Sequence, residues 1–132
     1  MRRIVIIGAV AALMVALFAS AALARTFTCT DKPCFGTNKP DKINERPAFG
    51  TPDKIYGLRS ADRINAGISP GDVDIVFGRR GNDKLITDDG FPEFADNLDE
   101  ARGGQGKDTC YVDAGDVHRS CEVLYIDGVL QT

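Results

Sequence analysis

The chain of 132 residues contains no Trp, one His and two Met, and its aromatic side chains otherwise amount to seven Phe and three Tyr. That scarcity excludes a large aromatic core. The length allows one modest domain and makes two separately packed cores unlikely to fit. Positive charge is also in short supply. Sixteen basic residues face 19 acidic ones, a formal net charge of −3, whereas a nucleic-acid binder needs a predominantly basic face.

What is present begins with a leader pattern. Arg2 and Arg3 precede an apolar stretch from Ile4 to Phe18, and Ala22-Leu23-Ala24 supplies the small-x-small step accepted by a signal peptidase ahead of Arg25. Residues 1–24 are therefore expected to be a cleaved signal peptide and the mature chain to be extracellular, with no membrane association after cleavage. The alternative is retention as an anchor, because Ile4 to Leu23 approaches the length that spans a bilayer core of roughly 30 Å.

All four Cys follow the leader: Cys29, Cys34, Cys110 and Cys121. In an exported chain with an even Cys count these read as disulfides. A zinc site would favour C-x-x-C steps supported by His, and only His118 is on offer. Three connectivities are possible. Local pairing, Cys29 with Cys34 and Cys110 with Cys121, is preferred because each bond then closes a short terminal segment.

Internal periodicity carries more information than any helical pattern. The triplet Asp-x-apolar recurs at Asp41-Lys42-Ile43, Asp53-Lys54-Ile55, Asp62-Arg63-Ile64, Asp74-Ile75-Val76, Asp83-Lys84-Leu85 and Asp96-Asn97-Leu98, with Asp108-Thr109-Cys110 as a seventh copy. The Asp-to-Asp steps are 12, 9, 12, 9, 13 and 12 residues, a nonapeptide with insertions. Two copies keep a fuller glycine pattern: Gly78-Arg79-Arg80-Gly81-Asn82-Asp83-Lys84-Leu85 and Gly103-Gly104-Gln105-Gly106-Lys107-Asp108-Thr109-Cys110.

A turn of Gly and Asp followed by a very short strand with one inward apolar residue coils naturally into a solenoid. The expected architecture is all-β, a short parallel β-roll or β-solenoid of nonapeptide half-turns with disulfide-clamped ends. Its parts are a cap over residues 25–35, a repeat solenoid over 36–112 and a C-terminal capping segment over 113–132. Ile43, Ile55, Ile64, Val76, Leu85 and Leu98 are the expected inner column, and the aspartates an outer one. Alternate half-turns place Asp41, Asp62, Asp83 and Asp108 on one edge and Asp53, Asp74 and Asp96 on the other.

With these units, the chain resembles the hemolysin-type calcium-binding family, whose RTX nonapeptide is G-G-x-G-x-D-x-U-x with U a large apolar residue. The resemblance covers roughly Gly36 to Asp116. It implies calcium held between stacked Gly/Asp turns, with Gly78, Gly81, Asp83, Gly103, Gly106 and Asp108 as the best-formed site and Asp41, Asp53, Asp62 and Asp74 as further ligands. In the other units Lys39, Thr51, Ser60 and Asp72 stand where the family has a glycine two before the Asp. Electrostatics points the same way as the resemblance. Carboxylates stacked about 4.8 Å apart repel by roughly 1 kcal/mol at water-like dielectric and about 3 to 4 at an effective value of 20, and a hard cation with oxygen ligands would relieve that repulsion.

Other assignments compete. Lys42, Lys54, Arg63 and Lys84 each follow a ladder Asp, so side-chain cations could do the neutralising in a metal-free solenoid. Thr87 to Ala101 holds the largest insertion, and a functional reading would recruit Asp88, Asp89, Glu93 or Asp99 as extra ligands, although their spacing matches no EF-hand. Asp116-Val117-His118-Arg119-Ser120 contains the residue types of a hydrolase triad, but sequence neighbours do not make triad geometry. The expectation is a non-catalytic, secreted calcium-binding protein stabilised by its ion. Its alternative is a metal-independent, disulfide-capped scaffold for an extracellular protein or cell-wall partner, with the protein or glycan unspecified.

Overall fold

The computed structural model describes residues 24–30, 33–46, 52–67, 71–90 and 98–132. The leader through residue 23, and Glu93 and Asp96 within the long insertion, lie outside the described residues. Among the described residues all regular structure is β, with no helix.

The strands are β1 (Arg25–Cys29), β2 (Cys34–Phe35), β3 (Asp41–Glu45), β4 (Lys54–Arg59), β5 (Arg63–Asn65), β6 (Ile75–Arg80), β7 (Lys84–Ile86), β8 (Glu100–Gln105), β9 (Thr109–Val112), β10 (Val117–Arg119), β11 (Val123–Ile126) and β12 (Val129–Gln131). Odd-numbered strands β1 to β11 stack in parallel into one sheet, which β12 completes as an antiparallel seventh strand. Even-numbered strands β2 to β10 form a five-stranded parallel sheet. The chain thus passes from one sheet to the other at every half-turn, which is a two-sided β-solenoid.

Such short strands hold because each inner strand, β3 to β9, contributes a fully buried side chain to a shared column, while the end strands add partly buried or exposed ones. In the seven-stranded sheet the register runs Phe27, Ile43, Ile64, Leu85, Cys110, Leu124. In the five-stranded sheet it runs Cys34, Ile55, Val76, Ala101 and then the exposed His118 at the end of the coil. Burying each Ile, Leu or Val stabilises the coil by about 2 kcal/mol. Near opposite ends of the coil, the disulfide Cys29–Cys34 joins β1 to β2 and so one sheet to the other, and Cys110–Cys121 ties β9 to the loop between β10 and β11, matching the local pairing preferred from spacing.

Two expectations change. Leu98 is not in the inner column: it is 45% exposed, and Ala101, fully buried, pairs with Val76 in its place. The ladder position expected for Asp96 is taken by Asp99, whose Oδ1 accepts the Asp74 N–H. Half-turn length explains both shifts. Asp53 to Asp62 and Asp74 to Asp83 each span nine residues, and Asp99 to Asp108 preserves that nine whereas Asp96 would make it twelve.

The aspartates also do not form an outer ladder. Asp41, Asp53, Asp62, Asp74, Asp83, Asp99 and Asp108 are all buried. In Asp-x-Ile the acid and the aliphatic are two residues apart, and a strand period of two sends both to the same side. The intervening residue, such as Lys42, Lys54 or Arg63, is the one that faces out.

Candidate metal centre

Asp62, Asp83 and Asp108 on one edge, and Asp74 and Asp99 on the other, are each held by the backbone of the adjacent turn. The N–H groups of Asp41, Asp62 and Asp83 donate to Oδ1 of Asp62, Asp83 and Asp108, and the Asp108 N–H donates to Glu122 Oε2, all at 2.8 Å. On the opposite corner the N–H groups of Asp53 and Asp74 donate to Oδ1 of Asp74 and Asp99 at 2.8 Å, and the Asp99 N–H donates to Asp116 Oδ1 at 3.0 Å. The two edges deduced from alternating half-turns are therefore present, extended by Glu122 and Asp116.

These bonds satisfy one carboxylate oxygen apiece. The other oxygen, Oδ2, of Asp62, Asp83 and Asp108 is buried with no hydrogen-bond partner. At the corner carrying Asp83 and Asp108, those oxygens lie over glycine: a methyl group on Gly78 would collide with Asp83 Oδ2 and sit 2.7 Å from the Gly103 carbonyl oxygen, and one on Gly103 would meet Asp108 Oδ2 at 2.6 Å. Gly78 and Gly103 are thus required by close approach of carboxylate and backbone. Gly81 and Gly106 occupy the bends that follow, one turn apart. Asp83 and Asp108 are adjacent layers, as the repeat phase predicts.

The opposite corner gathers acids more densely. Glu45, Asp72 and Asp74 are all buried, and each offers a carboxylate oxygen such that the three atoms lie within 4.8 Å of one another. Among the described residues this is the group of three acidic, His or Cys ligands close enough to share a metal ion. Glu45 closes β3 two residues after Ile43, so strand parity turns it inward. Asp72 and Asp74, also two apart, enter from the loop before β6. Asp72 Oδ2 is buried and has no hydrogen-bond partner. Three hard oxygen donors, one from β3 and two from the loop before β6, with Asp72 Oδ2 unsatisfied, suit a hard cation and offer nothing to a soft one.

The acidity of the region follows from burial without counter-charge. Desolvation pushes Asp74 up to about 7, against the opposing Asp53 N–H bond, with repulsion from Asp72 and Asp53 adding to the rise. Asp99 is raised to about 8, first by burial and then by Asp116, Asp74 and Asp72, again opposed by an N–H bond. Burial likewise lifts Asp72 to about 6, with Asp53 and Asp89 contributing. The other corner behaves similarly: burial takes Asp62 to about 7 and Asp83 to about 6. The outward cations beside the ladder do not quench this charge, because they lie on the other face of the strand.

The insertion acids serve the backbone. Asp88 Oδ1 accepts the Gly90 N–H, and the Asp89 N–H donates to Asp113 Oδ2. His118 is exposed on β10. Sequence reading missed Glu45 and Asp72 as ligands, although their spacing of two from Ile43 and Asp74 was the available signal. No family model, curated protein or solved structure matches the chain.

Proposed function

We propose that the protein is an exported, non-catalytic β-solenoid that binds calcium at Glu45, Asp72 and Asp74 and is stabilised by it. The observation that carries this reading is the convergence of three buried carboxylates with an unsatisfied oxygen on Asp72. Two disulfides support an oxidising, extracellular setting, where calcium modules commonly work near 10⁻⁴ to 10⁻³ M. A bound ion would favour the coil over the unfolded chain by mass action. The turns of Gly78, Gly81, Asp83, Gly103, Gly106 and Asp108 form a second proposed position, resting on the resemblance to the hemolysin-type repeat and on the unsatisfied Oδ2 of both aspartates.

Calorimetric titration of calcium into the mature chain tests both. Loss of binding in E45Q/D72N with binding kept in D83N/D108N places the ion at the triad, and the reverse moves it to the repeat turns. No heat and no change in melting point with any chain would defeat the proposal. That result would favour the metal-independent scaffold, which the ladder of backbone N–H bonds to Asp Oδ1 already supports.

A further inference from the structure

The outward face of the five-stranded sheet carries aromatic rings and arginines on a chain whose net charge is negative. Phe35, Tyr56 and Phe77 stack along the coil with ring centroids 4.8 and 4.7 Å apart. Arg102 continues the column, its guanidinium 5.1 Å from the Phe77 ring, and Arg119 pairs with it in register. Arg79 lies 5.0 Å from the Tyr56 ring, and Arg59 and Arg80 are register partners beside it.

Among the described residues, an open groove of about 720 Å³ is lined by Asn38, Leu58, Arg59, Arg79, Arg80 and Gln105, without an acid. Glu100 engages Arg102 at 2.7 Å and Arg119 at 3.5 Å, but among the described residues none of Arg59, Arg79 and Arg80 pairs with a carboxylate. Their charge is available to a ligand.

Backbone strain sits at the same place. Leu58 and Arg79 have φ of 84° and 78°, and their register partner one turn on is Gly104, with φ of 113°. Glycine takes this conformation without penalty, whereas a residue with a Cβ is strained in it. The fold carries that strain at Arg79 while its side chain projects into the groove.

We propose that this face binds a linear acidic polysaccharide, its carboxylate or sulfate groups seated along Arg59, Arg79 and Arg80. Neighbouring strands repeat at about 4.8 Å, so Arg59 and Arg80 stand one rung apart with Arg79 beside them and neutral Gln105 on the next rung, a cationic step along the coil axis that an extended polyanion can follow. Guanidinium groups suit planar, bidentate contact with such anions. A single-stranded nucleic acid fits less well, because it relies on open ring faces for base stacking. Here the Tyr56 ring is sandwiched between Phe35 and Phe77, and Arg102 covers Phe77.

The test uses the mature chain in chelator, which prevents a cation from bridging polymer to the acidic corner. Polygalacturonate and a heparin-type sulfated glycan are the probes, with neutral dextran and a single-stranded DNA oligonucleotide for comparison. Binding to either acidic glycan is expected, weakening as salt rises. R79Q/R80Q should weaken it by roughly tenfold, and R59Q/R80Q, which leaves the strained residue untouched, by a similar factor. R63Q/K84Q, which removes equal charge from the seven-stranded sheet, should change affinity by less than about twofold. Failure of both glycans to bind, equal losses in all three variants, or tighter binding of the DNA would overturn the proposal.

Discussion

The two corners of the coil use the same hydrogen bond and reach different ends. From the five-stranded to the seven-stranded sheet, the half-turns Asp53–Asp62, Asp74–Asp83 and Asp99–Asp108 all span nine residues. In the return direction, Asp41–Asp53, Asp62–Asp74 and Asp83–Asp99 span 12, 12 and 16. A nine-residue corner closes with carboxylate against glycine and has no room for further side chains. The longer corner admits extra residues, and those it admits beside the ladder include Glu45 and Asp72. Constant length makes the first corner structural; variable length lets the second assemble a candidate site.

The largest expected effect breaks the tight corner. Gly78→Ala forces apart Asp83 and the Gly103 carbonyl, and should cost on the order of 3 kcal/mol in denaturant unfolding. Gly90→Ala, at the wide corner with φ of 71° but nothing within 4 Å of an added methyl, should cost about 1 kcal/mol. Equal losses would erase the distinction between the corners.

Next in size is removal of a ladder acceptor. Asp83→Ala leaves the Asp62 N–H unsatisfied and Asp74→Ala does the same to the Asp53 N–H, each costing about 1 to 3 kcal/mol. Asn at either position retains an oxygen acceptor and should cost less. At neutral pH without calcium, Asp74→Asn should recover part of that loss by removing a crowded charge.

The pH profile tests what the corners share, since burial raises Asp62 and Asp83 at the tight corner as it raises the acids of the wide one. Ordinary carboxylates lose their protons near pH 4, whereas Asp72, Asp74 and Asp99 hold theirs to about 6, 7 and 8 in the folded chain. The folded state therefore binds more protons than the unfolded one across this window, and stability without a cation falls as pH rises from about 4 through about 8. Melting in chelator should drop by at least about 5 °C between pH 5 and pH 8, with millimolar calcium restoring most of it at pH 8. A flat profile, or one rising with pH, would contradict the raised pKa values of these carboxyls. The smallest effect lies at the surface: Glu100→Gln releases Arg102 and Arg119 and should change stability by less than about 1 kcal/mol.

Much of this was legible before any coordinates. The Asp-x-apolar triplets located five of the six expected column residues, and the alternation of half-turns assigned the ladders to opposite edges. Asp96-Asn97-Leu98 misled because Leu98 is a better apolar match than Ala101, while the constant nine-residue corner was the stronger rule. The outward placement of the aspartates ignored strand parity, and with it the inward direction of Glu45.

Residue order alone determined the coil: short-range alternation of acid, polar and aliphatic residues, repeated at a nearly constant interval, can bury its apolar positions only by stacking on copies of itself. It also favoured local disulfide pairing among three connectivities, since close Cys pairs flank the repeat at either end, and the closed coil has that pairing. Tertiary structure decided which acids meet. Asp72 and Glu45 are 27 positions apart in the chain and come together only when the turn is closed. The same closure brings Arg59 beside Arg80, because strand pairing converts distance along the chain into a single step between neighbouring rungs.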